Sequence, residues 1–505
     1  MRQLLLPRGY RNSERLLRRL HAESEKAWVA RSENRALSLF HSMALRVPAY
    51  KDFLKVHNFS PNKVKTIKDF HKIPPINKDN YLRVYPKEKL CWDGQFSHGQ
   101  WVISTTSGST GQPYYFPREQ SQDWQYAITA ENYLRNNFEI QNKSTLYIVA
   151  FPMGAWIGGL FTYQALKIIA DNGDYDMSII TPGIHKQEVI NAVKQLGGDF
   201  DQIIIGAYAP FLKDILDDGE EAGINWKKLN VGFVFSAEAF TEKFRDYVFK
   251  MTNPKNPLLS TLNHYGTVDL GTMAHETPES ILIRRVLSQE KKLGYIFPES
   301  NRMATLAQYD PTLFYFEAEE HNLFCTAYSG LPLVRYDLKD YGGVFSRVDL
   351  HSKLNKNDID IAELLKENKL SDKTWNLPYV YVYERNDFSV SYYAFLIYPE
   401  TIKRTLQLDN FERILTGKFS MKVDYDINGR QRLFINIETK KGVDDNKKLE
   451  ELIQKVIHER LLVESSEYRE TSRMVGQDVI PIIKLWDYED ATYFRPGSKQ
   501  RWVIK

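Results

Sequence analysis

The stretch LYIVAF, residues 146–151, consists of six consecutive hydrophobic residues, as expected of a strand buried on both faces of a sheet. Similar β-rich runs follow at residues 178–181, 202–205 and 232–235. They are separated by stretches with helical periodicity, at residues 160–170, 186–196 and 241–251. This alternation predicts an α/β fold, with a mostly parallel sheet and helices on both faces. Ligands of such sheets bind at the carboxyl ends of the strands.

The flanking regions have a different pattern. Residues 12–47 predict a helix that Ser13 caps and Pro48 ends. The charged segment 350–376 predicts a surface excursion with one helix. A small α+β unit follows, with strands at 420–424, 433–438 and 479–485 and a helix at 447–462. We place the domain boundary near Arg385, with residues 1–384 in a large N-terminal domain and residues 385–505 in a small C-terminal domain.

The composition excludes several classes of protein. The chain has 505 residues, more than one hydrophobic core usually serves, and its 43% hydrophobic and 26% charged residues are typical of a folded protein. A net charge of +3 gives no electrostatic footprint for nucleic acid. No apolar run is long enough for a signal sequence or a membrane span, so we expect a cytoplasmic protein. Cys91 and Cys325 are too few for a disulfide framework or a four-cysteine zinc site.

A loop rich in glycine and hydroxyl groups follows a β-like run at residues 100–103. It reads Thr105-Thr106-Ser107-Gly108-Ser109-Thr110-Gly111. The glycines allow tight backbone curvature, so several N–H groups can point at one anion, and the hydroxyls add further donors. The loop is therefore a candidate cradle for a polyphosphate. It lacks the Gly-Lys-Ser/Thr ending of a Walker A loop, and a flexible surface loop is the alternative interpretation.

Further segments accompany this loop in a fixed order along the chain. They are IPPINKD (73–79), FPMGAWIGG (151–159), Ser236-Ala237-Glu238, HYGTVD (264–269), PLVRYDLKD (332–340), Arg385-Asn386-Asp387 and GSKQR (497–501). Together with the loop they resemble the acyl-adenylate-forming ligases, and within them the phenylacetate–coenzyme A ligase-like branch. The resemblance covers nearly the whole chain. It implies a large N-terminal adenylation domain and a small, mobile α+β lid domain at the C-terminus.

The resemblance also implies an activity. Such a ligase uses ATP and Mg²⁺ to convert a small-molecule carboxylic acid into an acyl-adenylate. It then transfers the acyl group to an acceptor, here the thiol of coenzyme A or an amine. Because the carboxylate and the triphosphate are both anionic, the reaction needs positive charge. By resemblance Lys499, carried by the lid, supplies it as the catalytic residue of adenylation.

The resemblance assigns the other site residues one by one. Asp269 is the candidate metal ligand, Tyr265 can stack on adenine, and Asp340 can accept the ribose hydroxyls. The remaining residues on the adenine and ribose side are Ser236, Ala237, Glu238, Gly266 and Arg385. The predicted acyl pocket is formed by Met153, Trp156, Gly206, Ala207 and Tyr208.

Three departures from the family pattern affect these expectations. Gln112 stands where a lysine is common, so one positive charge is missing beside the phosphates. Glu384 and Ala394 stand where glycines are usual near the hinge and the acceptor channel. The interval between Asp340 and Arg385 is longer than expected. These departures weaken the inference of coenzyme A more than that of adenylation.

Two other functions stay open at this point. One is nucleotidyl transfer, in which AMP remains on a hydroxyl acceptor. The other is a non-catalytic nucleotide-binding homologue. A homodimer is a possible assembly, and no nucleic-acid or membrane partner is expected.

Overall fold

The computed structural model describes most of the chain. The described residues are 6–7, 9–105, 114–155, 157–236, 239–289, 292–299, 303–383, 390–392, 395–425, 431–443, 446–465, 468–469, 472–473, 476–496 and 501–504. The helices are α1 Ser13–Ala22, α2 Glu25–Arg46, α3 Pro48–Val56, α4 Ile67–Phe70, α5 Lys87–Leu90, α6 Gln120–Tyr133, α7 Ile157–Asn172, α8 Lys186–Leu196, α9 Ala209–Glu221, α10 Glu242–Thr252, α11 Pro278–Gln289, α12 Leu293–Ile296, α13 Arg347–Asn355, α14 Ile361–Glu367, α15 Pro399–Leu406 and α16 Lys447–Glu464.

The strands number eighteen within the described ranges. They are β1 Val102–Thr105, β2 Tyr115–Arg118, β3 Thr145–Ala150, β4 Met177–Ile180, β5 Gln202–Ala207, β6 Val231–Phe235, β7 Thr261–Thr267, β8 Gly271–His275, β9 Thr305–Gln308, β10 Phe314–Glu319, β11 Asn322–Ala327, β12 Leu333–Phe345, β13 Tyr379–Val382, β14 Val390–Tyr392, β15 Phe395–Ile397, β16 Leu415–Tyr425, β17 Gln431–Thr439 and β18 Ile482–Trp486.

An eleven-stranded sheet organises the larger part of the molecule. Its order is β10-β11-β12-β13-β9-β8-β7-β6-β5-β3-β4. The strands from β4 to β7 pair in parallel, and β7 then turns back into β8, after which the pairing is antiparallel. Strands β3, β5 and β6 are buried along their whole length, as their uninterrupted hydrophobic runs require. The predicted α/β fold is confirmed.

The N-terminal helical region differs from its prediction. It forms two helices rather than one, and Asn12, not Ser13, caps the first by accepting a hydrogen bond from the Arg15 N–H at 2.8 Å. Helix α2 ends at Arg46 with Val47 as its C-cap, so the predicted stop before Pro48 is confirmed. Pro48 also begins α3, where its missing N–H costs no intrahelical hydrogen bond.

The segment 350–376 is more than the predicted surface excursion with one helix. It contributes to two helices, α13 and α14, whose apolar residues Leu350, Leu354 and Ile361 are fully buried. They pack in a cluster with Ile281 of α11 and Leu306 of β9. The segment therefore covers one face of the antiparallel half of the sheet.

The C-terminal unit has its own core. Strands β16 and β17 are antiparallel, β18 adds in parallel, and α16 buries Ile453, Ile457 and Leu461 against them. Its buried apolar residues run from Val390 to Trp502 and form a cluster separate from those of the main sheet. The predicted boundary at residue 385 falls within 384–389, outside the described residues. None of the described helices is long and apolar enough to cross a membrane.

Candidate functional site

Two predicted ligand residues meet at the centre of the molecule. The hydroxyl of Tyr265 on β7 donates to Oδ2 of Asp340 on β12 at 2.7 Å, and both residues are buried. The two strands lie four positions apart in the sheet, so the sheet must curl for these side chains to touch. The ring of Phe316 stacks near that of Tyr265, with 6.1 Å between the centroids. An aromatic face and a carboxylate are thus fixed next to each other.

Asp269, the predicted metal ligand, lies in the turn after β7. Its Oδ2 accepts a hydrogen bond from the Tyr336 hydroxyl at 2.5 Å and lies 3.0 Å from Nζ of Lys78. The Asp269 side chain is only 6% exposed, whereas that of Lys78 is 29% exposed. The ammonium therefore partly faces solvent beside a buried carboxylate.

Lys78 is the functional candidate that sequence reasoning missed. It lies in the segment IPPINKD, which is part of the resemblance, but the resemblance assigns it no role. Ile76 and Tyr336 form an isolated parallel bridge, in which Ile76 N donates to the Arg335 carbonyl at 3.2 Å and Asp337 N donates to the Ile76 carbonyl at 2.8 Å. This bridge carries Lys78 to Asp269 across a long interval of sequence, which no local pattern reveals.

The base of the candidate phosphate loop is also in place. Only Thr105 of the predicted loop is described, and Thr106 to Gly111 lie outside the described residues. The Thr105 N–H donates to the carbonyl of Ala155 at 3.0 Å, which ties the loop's first strand to the segment predicted to line the acyl pocket. On the returning strand, Phe116 has its ring centroid 5.7 Å from Nζ of Lys78. Strand β2, which follows the loop in sequence, therefore lies beside Lys78.

A buried ion pair anchors this hairpin. Nε of Arg118 on β2 donates to Asp123 of α6 at 2.7 Å, and its Nη1 donates to Oγ of Ser104 on β1 at 3.2 Å. The guanidinium also lies over the ring of Phe161, 4.5 Å from its centroid. Both strands of the hairpin are thereby held at one point.

The described part of the predicted acyl pocket is closely packed. The ring centroids of Phe151 and Tyr208 are 5.6 Å apart. A Cβ atom added to Gly206 would lie 2.8 Å from Cε2 of Phe151 and 3.1 Å from the hydroxyl of Tyr147. These residues therefore share one space at the carboxyl ends of β3 and β5.

The other predicted pocket residues are placed as follows. Ala207 is buried in β5, beside Phe235 of β6. Met153 lies near Gly183, where an added Cβ would approach its Cγ to 3.1 Å. Trp156 lies outside the described residues.

Among the residues predicted for the adenine side, Ser236 is half-buried and follows β6. Gly266 packs against the backbone of β8, because an added Cβ would lie 2.5 Å from the Gly271 carbonyl oxygen. Ala237, Glu238, Arg385 and Lys499 lie outside the described residues. Beyond the turn, the Phe240 carbonyl accepts a hydrogen bond from Nη2 of Arg284 at 2.9 Å.

That arginine belongs to a buried charge quartet, which we define as Glu242, Arg245, Glu276 and Arg284. Nη2 of Arg245 donates to both carboxylate oxygens of Glu276, at 3.0 and 2.9 Å, and its Nε donates to Glu242 at 2.9 Å. Arg284 donates to Glu276 as well. Burial alone would raise the pKa of Glu242, but the two guanidinium groups outweigh it and hold that pKa below its usual value. Glu276 also accepts from the Asn263 N–H at 3.0 Å, so the quartet joins the turn after β6 to strand β7.

The residues present fit a magnesium ion that has few protein ligands. Within the described residues no group of three or more His, Cys, Asp or Glu side chains could hold a metal ion. Asp269 offers one carboxylate, and both of its contacts above go to Oδ2. Mg²⁺ usually retains waters and is bound by one or two carboxylates together with substrate phosphates, so a single acidic residue is sufficient.

Comparison with solved structures identifies proteins of similar fold. No protein-family model and no curated protein matches the sequence. Among solved structures, 2-hydroxyisobutyryl-CoA ligase in the postadenylation state with R3-HIB-AMP matches with a TM-score of 0.65 at 12% identity, covering 96% of this chain and 91% of that chain. The GH3.15 acyl acid amido synthetase matches with a TM-score of 0.58 at 13% identity, covering 94% and 88%.

A second state of the first relative matches less closely. The same ligase in complex with 2-HIB-AMP and CoA, in the thioesterification state, gives a TM-score of 0.52 at 13% identity, covering 96% of this chain and 91% of that chain. At these identities the matches show the fold. The chain has the fold of the acyl-adenylate-forming ligases, as the resemblance implied.

Proposed function

We propose that this protein is an ATP- and Mg²⁺-dependent ligase. It activates a carboxylic acid as an acyl-adenylate and transfers the acyl group to a thiol or an amine. The observation that carries the proposal is the Tyr265–Asp340 hydrogen bond of 2.7 Å, in a chain with the fold of the adenylate-forming ligases. Through this bond, an aromatic ring that can stack on adenine and a carboxylate that can accept ribose hydroxyls lie next to each other, although they are far apart in sequence.

The nucleotide is bound by groups of complementary chemistry. The Tyr265 ring stacks on adenine, which any aromatic face tolerates, and the Asp340 carboxylate accepts the ribose hydroxyls. Its hydrogen bond from Tyr265 restricts the rotation of that carboxylate before ATP arrives. Ser236 and the turn after it, which the quartet supports, lie along the adenine edge.

The phosphates need cations, because the attacking carboxylate is also negative. Mg²⁺, held by Asp269 and the phosphate oxygens, would neutralise charge on the leaving pyrophosphate. Lys78 lies 3.0 Å from Asp269 and beside the hairpin that carries the phosphate loop. It supplies the positive charge that Gln112 does not.

The bond changes of the first step follow from this placement. A carboxylate oxygen of the acid attacks the α-phosphorus in line with the departing pyrophosphate. The products are the acyl-adenylate and pyrophosphate. Lys499 of the lid neutralises the incoming carboxylate and the α-phosphate, and the acid's side chain occupies the space around Phe151, Gly206 and Tyr208.

The acceptor is a nucleophile that displaces AMP in the second step. Two relatives of the same fold differ here, one being a CoA ligase and the other an acyl acid amido synthetase. We retain both a thiol and an amine for this chain, since Glu384 and Ala394 change the region where the acceptor would enter. Activity in the cytoplasm and a homodimeric assembly remain predictions.

The first test is exchange of labelled pyrophosphate into ATP, measured with a broad panel of carboxylic acids. At least one acid should support exchange, and Lys499→Ala should reduce that exchange by about a hundredfold or more while ATP still binds. Lys455→Ala, which changes an exposed lysine of the same domain, serves as the matched control. ATP binding without exchange for any acid would contradict the proposal and indicate a non-catalytic homologue.

The second step is tested by product mass. Incubation of the activating acid with ATP and either coenzyme A or amines should yield a thioester or an amide with release of AMP. AMP retained on a hydroxyl acceptor would instead identify a nucleotidyl transferase.

A further inference from the structure

A lysine of the C-terminal unit is buried against the N-terminal one. Nζ of Lys418, on β16, lies 2.5 Å from Oδ2 of Asp214 on α9 and 3.2 Å from Oε2 of Glu438 on β17. The exposed fractions of these three side chains are 8%, 3% and 0%. We call these residues the junction triad. At this site a lysine of one unit is almost completely buried against a carboxylate of the other.

Weaker charge pairs surround the junction triad. Lys186 of α8 lies 2.6 Å from Asp218 of α9 and 2.5 Å from Glu489, which follows β18. Lys440, after β17, lies 2.9 Å from Asp217 of α9. The acidic face of α9 is thus shared between lysines of both units, and the more exposed pairs form a rim around the buried triad.

Such a triad selects one orientation of the lid. A buried lysine is tolerated only where its charge is paired, because desolvation of an unpaired ammonium or carboxylate is costly. In any other orientation Lys418 and Asp214 are separated, and each must be hydrated. The net free energy of pairing is small, because the cost of desolvating the charges nearly cancels their attraction. The contact can therefore specify the orientation of the lid and still allow the lid to be released.

The same strand positions the end of the chain. Met421 N on β16 donates to the Trp502 carbonyl at 2.7 Å, and Ile504 N donates to the Met421 carbonyl at 2.8 Å. Nζ of Lys403 on α15 lies 3.9 Å from the centroid of the Trp502 ring and donates to the Ala239 carbonyl at 3.4 Å. Residues 502–504 are therefore connected both to β16 and to the turn after β6.

We propose that Lys418 is a positioning residue for adenylation. Its pairing with Asp214 fixes the position of β16 on α9. This position brings residues 502–504 to the nucleotide side of the N-terminal unit. This inference rests on the proposed function. It goes beyond that function by assigning the orientation of the lid to one buried contact.

The first experiment measures lid orientation without any activity. Spin labels at Glu221→Cys on α9 and Lys455→Cys on α16, both exposed sites, report the distance between the units by pulsed electron resonance. The native cysteines are buried and remain unlabelled. The unsubstituted chain should give one narrow distance distribution, and Lys418→Met should broaden or shift it.

Two further variants complete that experiment. Lys422→Met changes a lysine of the same strand that is 41% exposed and pairs with Asp424, and it should leave the distribution unchanged. Asp214→Asn removes the opposite charge and should reproduce the effect of Lys418→Met even if that variant folds poorly. A distribution unchanged in both Lys418→Met and Asp214→Asn overturns the proposal.

The second experiment separates the two half-reactions. With an activating acid, Lys418→Met should slow adenylate formation about tenfold or more, whereas transfer from preformed adenylate should change by less than about threefold. Equal slowing of both steps would exclude a positioning role specific to adenylation. If no acid is activated the proposed function fails, but the distance measurement still tests the contact.

Discussion

The buried charge quartet and the junction triad both bury charged side chains, but they differ in their location and in the type of cation. The quartet lies wholly inside the N-terminal unit, where two arginines and two glutamates are almost completely removed from solvent. The junction triad lies between two units, and its single cation is a lysine. One cluster joins elements of a single unit, and the other joins elements of two units.

The choice of cation fits these two tasks. A guanidinium donates from several fixed directions and can hold a carboxylate and a carbonyl at once, as Arg284 does with Glu276 and Phe240. A lysine ammonium is a point charge on a flexible stem and is hydrated again easily after release. Arginine therefore suits a permanent contact within one unit, and lysine would suit the junction if the two units separate, as we propose.

The largest effect is expected from breaking the quartet. Arg245→Met leaves Glu242 and Glu276 buried with too little compensating charge, so the free energy of unfolding should fall by about 3–5 kcal/mol. Urea denaturation measures this directly. The distance between the two spin labels should not change in the folded population, because all four quartet residues belong to the N-terminal unit.

The matched control is an exposed ion pair. Arg18 pairs with Glu14 on α1, and both side chains are more than half exposed, so Arg18→Met should leave the unfolding free energy unchanged within error. A loss for Arg18→Met as large as that for Arg245→Met would show that burial does not set the cost.

The next effect concerns two buried histidines of the same unit. Burial lowers the pKa of His264 to about 3 and that of His275 to about 4. The unfolded chain therefore binds more protons than the folded one below pH 6.5, and stability present above that pH is lost as pH falls toward 3–4. The loss is on the order of 3 to 5 kcal/mol for each histidine at the acid limit, before coupling between the two.

The measurement is the slope of the unfolding free energy against pH between 6.5 and 4. His264→Phe retains an aromatic ring without a titratable group, so the slope should become smaller. His98→Gln, at an exposed histidine, should leave the slope unaltered. An unchanged slope in His264→Phe would mean that this histidine does not titrate on unfolding.

The sequence predicts the parts of this molecule that depend on local pattern. The alternation around LYIVAF predicts the α/β sheet. The family motifs name both Tyr265 and Asp340, and the structure brings these two side chains into contact. The quartet and the junction triad leave no such signal, because each joins residues that are far apart and of ordinary type. Lys418 is one of many lysines in the chain, and only the packing of β16 on α9 distinguishes it.

The segment 350–376 illustrates a different reason for failure. Its charged composition favours a solvated surface, and most of its polar residues are indeed exposed. Its few apolar residues are spaced to place Leu350, Leu354 and Ile361 on buried faces. A sparse apolar pattern therefore predicts packing better here than average composition does.

The smallest predicted effect tests whether lysine marks exchangeable contacts elsewhere. Lys78 and Asp269 form an ion pair that is partly open to solvent, and Phe116 of β2 lies beside Lys78. If ATP binds as proposed and Lys78 moves from Asp269 to the phosphates, Lys78→Met should weaken ATP binding about tenfold, which corresponds to about 1.4 kcal/mol. Calorimetric titration with ATP and Mg²⁺ measures the change, and Lys72→Met, at an exposed lysine of the same region, provides the control.

A second substitution separates charge from flexibility. Lys78→Arg keeps the positive charge but can hold Asp269 with two parallel hydrogen bonds, which a lysine cannot form. We expect Lys78→Arg to unfold at the same or a higher denaturant concentration and yet to bind ATP more weakly than the lysine form. If Lys78→Arg binds ATP as tightly as the unsubstituted protein, a positive charge alone is sufficient at this position. The distinction between fixed arginine contacts and exchangeable lysine contacts would then hold only at the domain junction.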